Sequence, residues 1–366
     1  MGSLSGYEIT VLSDAAAIPA LLAAGDLQRT PFQSPRWLDV WFAVLQPSGM
    51  DCSVGVIRRA SDHRPLFVLP LVRERRYGLT ILTLPDGGIS DYHAALVSPD
   101  FTPDPETMDR LWSALVAMLP AADLISIERV PPEYAARMQL AHRMRPSCCS
   151  SHEIPIDADF ATLRERRFDP STGRRLVKNR RKLEHKGKLT FDFVSGPDAL
   201  PDLERLIDWR RQRFESVNDP EQAAIQSVFY HRLVEEGSLA RIGLLRLDGE
   251  LLAGCLGLVD DGRFLALLLA YNTQFANWAP GLLMVESCIE ASARLGLTVF
   301  DLTIGDETYK DLFGAETIGL RELHQPLTLR GRLVLALLDS KPKLKRTLDR
   351  LGLLDVARRL RDRLKS

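Results

Sequence analysis

Cysteine is scarce in this chain and shows no ligand pattern. There are five cysteines in 366 residues, two of them adjacent (Cys148 and Cys149). No C-x-x-C or Cys/His spacing occurs, which excludes a disulfide framework and argues against structural zinc; a reducing cytoplasm is the expected setting. None of the seven histidines shows metal spacing. No apolar run approaches the roughly 18 residues that a membrane-spanning helix needs. The N-terminal MGSLSGYEIT lacks the basic and apolar regions of a signal peptide, and Gly6 stands where a myristoylation motif needs Ser or Thr. Net charge is also lacking: 47 Lys+Arg against 48 Asp+Glu leave −1, so binding to a polyanion has to be local. What remains is an ordinary globular composition, 45% hydrophobic and 26% charged, long enough for two domains.

The same order of elements occurs twice. In the second half, strands are expected at 241–248, 251–259 and 263–271, joined by Asp248-Gly249 and Asp261-Gly262, dipeptides that favour tight hairpins. Pro280-Gly281 then opens a helix with Leu282, Val285, Ile289 and Ala293 on one face and Gly296 past its end, and 297–303 is a further strand. The first half repeats this order with strands at 53–59, 66–73 and 79–84, a helix at 106–119 and a strand at 123–129, plus one longer loop after its third strand. Helices precede each three-stranded meander: Ser34-Pro35 start one that carries Trp37 and Trp41, and Leu203 to Val217 and Ile225 to Leu233 form two more. The fold class expected is mixed α/β, largely antiparallel. Its domains run over 1–150 and 151–330, with the separator near 146–160 and a basic tail at 331–366.

Charge is uneven locally. Residues 164–188 hold eleven Lys or Arg against three carboxylates, and 341–366 hold ten against three. The first run suits phosphate contact better than base stacking, since aromatics are few; a solvated helix face has the same look. The tail, with Leu344, Leu348, Leu351, Leu354 and Leu360 at helical spacing, reads either as a peripheral contact with an anionic membrane or as a helix packed on the body.

With the repeat laid out, residues 241–314 resemble the second half of the duplicated GNAT-superfamily acyltransferases of the CelD/BcsL type, associated with cellulose and exopolysaccharide. The stretch FDLTIGDETYKDLFGA at 300–315 is the most specific. LLRLDGELLAGCLGLV, the helix start APGLLMVE, RRLVKNRRKLEHKG and the loop GISDYHAALV support it. The resemblance spans roughly 7–325 and extends to the Fem-type aminoacyltransferases. It implies tandem GNAT-like domains, acyl transfer from acetyl-CoA or another acyl-CoA without a metal, and an amine or hydroxyl acceptor on a sugar or a lipid-linked cell-envelope precursor. DNA is not an expected partner; tRNA would be one only for a Fem-type enzyme, whose helical arm in the second domain is missing here. A non-catalytic accessory of polysaccharide synthesis is a further alternative.

Transfer from a thioester to an amine needs alignment, carbonyl polarisation and a proton acceptor. The expected cofactor-binding residues are Tyr271, Asn272, Ala279, Gly281, Leu282 and Leu283, although the phosphate loop Q/R-x-x-G-x-G/A is absent and Pro280 has no N–H to offer. Asp306 is expected as an unpaired base of raised pKa and Lys310 as an electrostatic anchor, with Tyr309 beside them and Asp301 as the second carboxylate. From the first half, Asp91 and Tyr92 are expected to reach across to the substrate or else to close a local turn; Arg180 and Arg181 are expected at its phosphates.

Overall fold

The computed structural model describes residues 2–4, 6–13, 17–23, 26–45, 51–76, 78–214 and 219–338, so the tail call at 341–366 lies outside the described residues. The strands are β1 (Gly2–Leu4), β2 (Tyr7–Leu12), β3 (Cys52–Arg59), β4 (Pro65–Arg76), β5 (Leu79–Thr83), β6 (Leu96–Val97), β7 (Leu124–Val130), β8 (Arg145–Pro155), β9 (Leu189–Val194), β10 (Ala240–Leu247), β11 (Glu250–Asp260), β12 (Arg263–Tyr271), β13 (Val299–Ile304) and β14 (Glu316–Pro326). The helices are α1 (Ala17–Ala23), α2 (Pro35–Leu45), α3 (Pro105–Met118), α4 (Pro132–Arg137), α5 (Phe160–Arg167), α6 (Pro170–Glu184), α7 (Leu200–Phe214), α8 (Pro220–Glu236), α9 (Pro280–Arg294) and α10 (329–338).

Both halves build the same unit. Strands β3-β4-β5 and β10-β11-β12 are antiparallel meanders, and each third strand then pairs in parallel with the strand that follows a helix, β5 with β7 and β12 with β13. The two Asp-Gly turns take the left-handed conformation at both residues, with φ of 49° and 84° at Asp248-Gly249 and 47° and 72° at Asp261-Gly262. That is the geometry matching the right-handed twist of a two-residue hairpin.

The stretch expected to separate the halves does the opposite. Residues 145–155 form β8, which pairs with β13 on one side and with β14 on the other, and β14 also pairs with β7. One sheet therefore runs through the molecule in the order β1-β2-β3-β4-β5-β7-β14-β8-β13-β12-β11-β10-β9, and residue 150 lies inside a central strand. Polar β8 (RPSCCSSHEIP) lacks the apolar alternation that marks a strand; its place comes from the two partners that saturate its backbone. The basic run 164–188 is likewise two helices, α5 and α6, each capped by an Asp, Asp159 and Asp169.

One apolar core joins α2 of the first half to α7 and α8 of the second, with the Trp37 and Phe229 rings 4.7 Å apart. Burying a side chain of that size contributes on the order of 2–3 kcal/mol. Separate cores lie under α3 in the first half and under α5, α6 and α9 in the second.

Candidate active site

Strands β12 and β13 pair only through Arg263–Leu265 and Val299–Asp301; beyond Leu265 β12 continues along β11 to Tyr271, away from β13. The cause sits in β13. Thr303 has φ 55°, a left-handed conformation that a β-branched residue rarely adopts, and the register with β8 slips between Asp301 and Ile304. Arg129 in β7 has the same φ, at a matching slip against β14, so the duplication extends to this bulge.

Into the gap opens a cavity of about 920 Å³. It is walled by Tyr271 of β12, by Thr303 and Ile304 of β13, by Ala279 to Leu282 at the start of α9 and by the 306–310 loop; the far wall is Gly88, Ile89 and Asp91 of the first half with α7 and α8. Tyr271 packs so closely on Gly281 that a Cβ there would lie 3.1 Å from its ring. Among the expected cofactor-binding residues at this helix start, the amides of Leu282 and Leu283 already donate to Ala279 O at 3.1 Å.

The long first-half loop is held firmly. Trp41 Nε1 donates to Asp86 O at 3.1 Å, Trp37 Nε1 to Ser90 Oγ at 3.2 Å and Gln33 Nε2 to Tyr92 O at 3.1 Å, while Gln222 of α8 bonds Gly87 O. Ser90 N donates to Asp86 Oδ1 at 3.3 Å within the loop, and Asp91 reaches the cavity wall. Burial pushes the Asp91 carboxyl up to about 6, against the pull of the nearby Arg129 charge and of Thr303.

Tyr92 turns away from the cavity. Its hydroxyl donates to Asp301 Oδ1 at 2.8 Å. Asp301 is fully buried and also accepts from Thr303 N–H at 2.7 Å and from Arg263 at 3.1 Å, so this carboxylate is spoken for and does not line the cavity.

The two residues favoured from sequence sit differently from expectation. Asp306 is 77% exposed and accepts from Ser150 Oγ at 2.9 Å, with His152 Nε2 at 3.4 Å; those hydrogen bonds hold its carboxyl below the usual range, the reverse of a raised base. Lys310 is buried, and its ammonium donates to the carbonyls of Thr303, Ile304 and Gly305 at 3.3, 2.9 and 2.7 Å, with Glu307 at 3.0 Å. It ties down the chain leaving β13 and has little capacity left for an anionic substrate. Tyr309 lines the cavity, its hydroxyl pushed up by burial.

Asn272 caps the turn after β12 by accepting from Gln274 N at 3.0 Å, and Leu283 is core. Arg180 donates to Ser287 Oγ at 3.0 Å and faces Glu286 at 3.4 Å, pinning α6 to α9; Arg181 is exposed on the outer face. Neither lines the cavity, whereas Arg175 of the same helix does, together with Arg210, Arg213, Gln226 and Tyr230. This wall was not expected from the sequence; Arg210, a charged residue sharing a face with Leu203, Leu206 and Ile207, is the kind of signal that could have pointed to it. Among the described residues no His, Cys, Asp and Glu cluster could hold a metal ion.

Residues 170–311, which supply most of this site, match the family model of the acetyltransferase (GNAT) domain. Over those residues the chain is similar to that domain. No curated protein matches the chain in sequence. In fold the chain is similar to FemX at 14% identity and TM-score 0.61, over 87% of this chain and 97% of that one. It is similar to a conserved protein of unknown function from Bacteroides thetaiotaomicron at 13% and 0.56, over 88% and 100%, and to L-PGS from Bacillus licheniformis at 11% and 0.53, over 88% and 96%. Identities this low speak for the fold, mixed α/β with one large mixed sheet, and not for a substrate.

Proposed function

We propose that the protein is an acyltransferase that moves an acyl group from acyl-CoA to an amine or hydroxyl of a sugar or cell-envelope precursor, by direct attack within the cleft. The observation that carries this reading is the placement of Asp91, a carboxylate with its pKa near 6, on the wall facing the parted strands. In this reading the second half holds the donor at β12, β13 and the α9 start, and the first half supplies the base. Asp91 takes the proton from the attacking nitrogen or oxygen as it bonds to the acyl carbon, and the thiolate of CoA departs. Arg175, Arg210 and Arg213, which line the cavity, suit anionic groups on either substrate. The polysaccharide context comes from the resemblance, whose most specific stretch is 300–315.

Calorimetric titration of acetyl-CoA tests the donor site. Binding that a Gly281→Glu substitution abolishes is the expected result, because the carboxylate would enter the cavity beside Tyr271; unchanged affinity would remove the assignment. A second reading has one observation in its favour: Arg174, Arg175, Lys178, Arg181 and Lys182 leave α6 with an exposed cationic face that meets the cavity at Arg175. Such a face suits a polyanionic donor, an aminoacyl-tRNA. The same titration with charged tRNA in place of acetyl-CoA separates the two.

A further inference from the structure

Cys148 and Cys149 stand in a stretch of β8 that the sheet ladder skips. Pro146 is in register with Arg321 of β14 and Ser150 with Gly319, so Ser147, Cys148 and Cys149 together face Leu320 alone, and the pairing of β8 with β13 begins only at Ser151. The stretch is a bulge, with two residues more than the strand opposite. In a regular strand neighbouring side chains point to opposite faces. Here the two thiols meet instead, their Sγ atoms 4.0 Å apart. Ser147 Oγ accepts from the Cys149 N–H at 3.2 Å and fixes the local turn. Cys148 is exposed and Cys149 half-buried, whereas Cys52, Cys255 and Cys288 are buried.

The two sulfurs have unequal surroundings. Burial and the neighbouring Cys148 sulfur push the Cys149 thiol up, against the pull of the Arg129 guanidinium. Two thiolates at this separation repel, so the pair ionises first at the exposed sulfur and keeps Cys149 as a thiol beside it. A thiolate open to solvent with a thiol next to it is the arrangement of an attacking and a resolving cysteine.

Closure lies within reach of the pair. A disulfide needs its sulfurs about 2.05 Å apart, and the backbone of 147–149 can turn to bring them together without breaking a registered pairing. Adjacent Cα atoms are only about 3.8 Å apart, short of the roughly 4.4–6.8 Å that disulfides usually span. The closed form is therefore strained and readily reduced, which suits a reversible site and not a structural bridge.

We propose that Cys148 and Cys149 form a redox site at which a hydroperoxide converts the dithiol to a vicinal disulfide. The Cys148 thiolate attacks the terminal peroxide oxygen and the O–O bond breaks; the leaving alkoxide or hydroxide takes up the proton that the thiol gave, and a sulfenic acid remains. The Cys149 sulfur then attacks the sulfenic sulfur, and its proton departs with the sulfenic hydroxyl as water. The dithiol loses two electrons and two protons, and the peroxide is reduced to water and an alcohol, or to two waters. The inference does not depend on the reaction proposed above.

Treatment of the reduced full chain with a small molar excess of hydrogen peroxide, followed by unfolding, alkylation and peptide mass mapping, tests it. The peptide that holds residues 148 and 149 is expected to lose two hydrogen atoms and to take up no alkylating reagent, and dithiothreitol is expected to restore both thiols. The buried Cys52, Cys255 and Cys288 are expected to stay alkylatable. In Cys149→Ser the oxidised Cys148 has no resolving partner and is expected to be trapped by dimedone as the sulfenic acid. In Cys148→Ser oxidation is expected to slow at least about fivefold, because the remaining thiol is half-buried. Two alkylated thiols after peroxide, an oxygen added at Cys148 of the wild type without ring closure, or a dimer of chains linked through Cys148 would overturn the proposal.

Discussion

The Tyr92 hydroxyl lies 2.8 Å from Asp301 Oδ1, joining a loop of the first half to the bulged strand of the second across 209 residues of chain. Asp91, the preceding residue, reaches the cavity from the same loop, so this bond sets how the proposed base meets the gap between β12 and β13. Tyr92→Phe removes a hydrogen bond to a buried charge and is expected to lower stability by about 1.5–3 kcal/mol. Activity is expected to fall more than the folded fraction does. Urea unfolding and kcat on the same preparation check both parts, and wild-type kcat in a destabilised Tyr92→Phe would show that the bond does not position Asp91.

Asp91→Asn is expected to lower kcat by about two to four powers of ten, the usual yield of a general base. In the wild type, kcat/KM is expected to rise with pH through about 6 as the carboxyl loses its proton.

Stability is expected to move the other way. The folded-state value of Asp91, about 6, lies above the ordinary 3.8, so the native protein binds this proton more tightly than the unfolded chain. The resulting contribution is present below 3.8 and is lost as pH rises through about 6. Asp91→Asn is therefore expected to melt higher than wild type at pH 8, with the gap narrowing toward pH 4. Calorimetric scans across that range check the sign, and a constant gap would exclude the raised value.

Lys310→Met is expected to destabilise by about 2–4 kcal/mol, because it strands the carbonyls of residues 303–305 in a buried site. An anchor for substrate would instead raise the acceptor KM in a protein of normal stability. Denaturant titration with steady-state kinetics tells the two apart.

Asp306→Asn is expected to keep kcat within about threefold of wild type, since an exposed carboxylate hydrogen-bonded to Ser150 and held below its usual pKa is a poor base near neutrality. A loss of a hundredfold would restore it as the base.

Much of the fold is legible in the chain because its signals are local. The Asp-Gly hairpins, the Pro280-Gly281 helix start and the apolar faces of α2, α7, α8 and α9 are each specified within a few residues, and they gave the two β-β-β-α-β units to within about three residues at most ends. Strands β8 and β14 were not legible. Each is placed by partners far away in sequence, β8 by β13 and β14, and β14 by β7, and neither carries a clean period of two.

The site divides along the same line. The sequence by itself determined the duplication, the helix start at Ala279 to Leu282, and the polar loop after β13 that borders the cavity, because these depend on short-range turn chemistry and helical periodicity. Only the tertiary structure decided what each carboxylate and cation can do. Asp301 is enclosed by Tyr92 and Arg263, Lys310 is saturated by backbone carbonyls, and Asp306 stays in solvent with its hydroxyl partner Ser150. Asp91 is left at the cavity wall with its pKa raised. A carboxylate's acidity follows from burial and from charges within a few ångströms, and in a sheet shared by two halves those neighbours come from opposite ends of the chain.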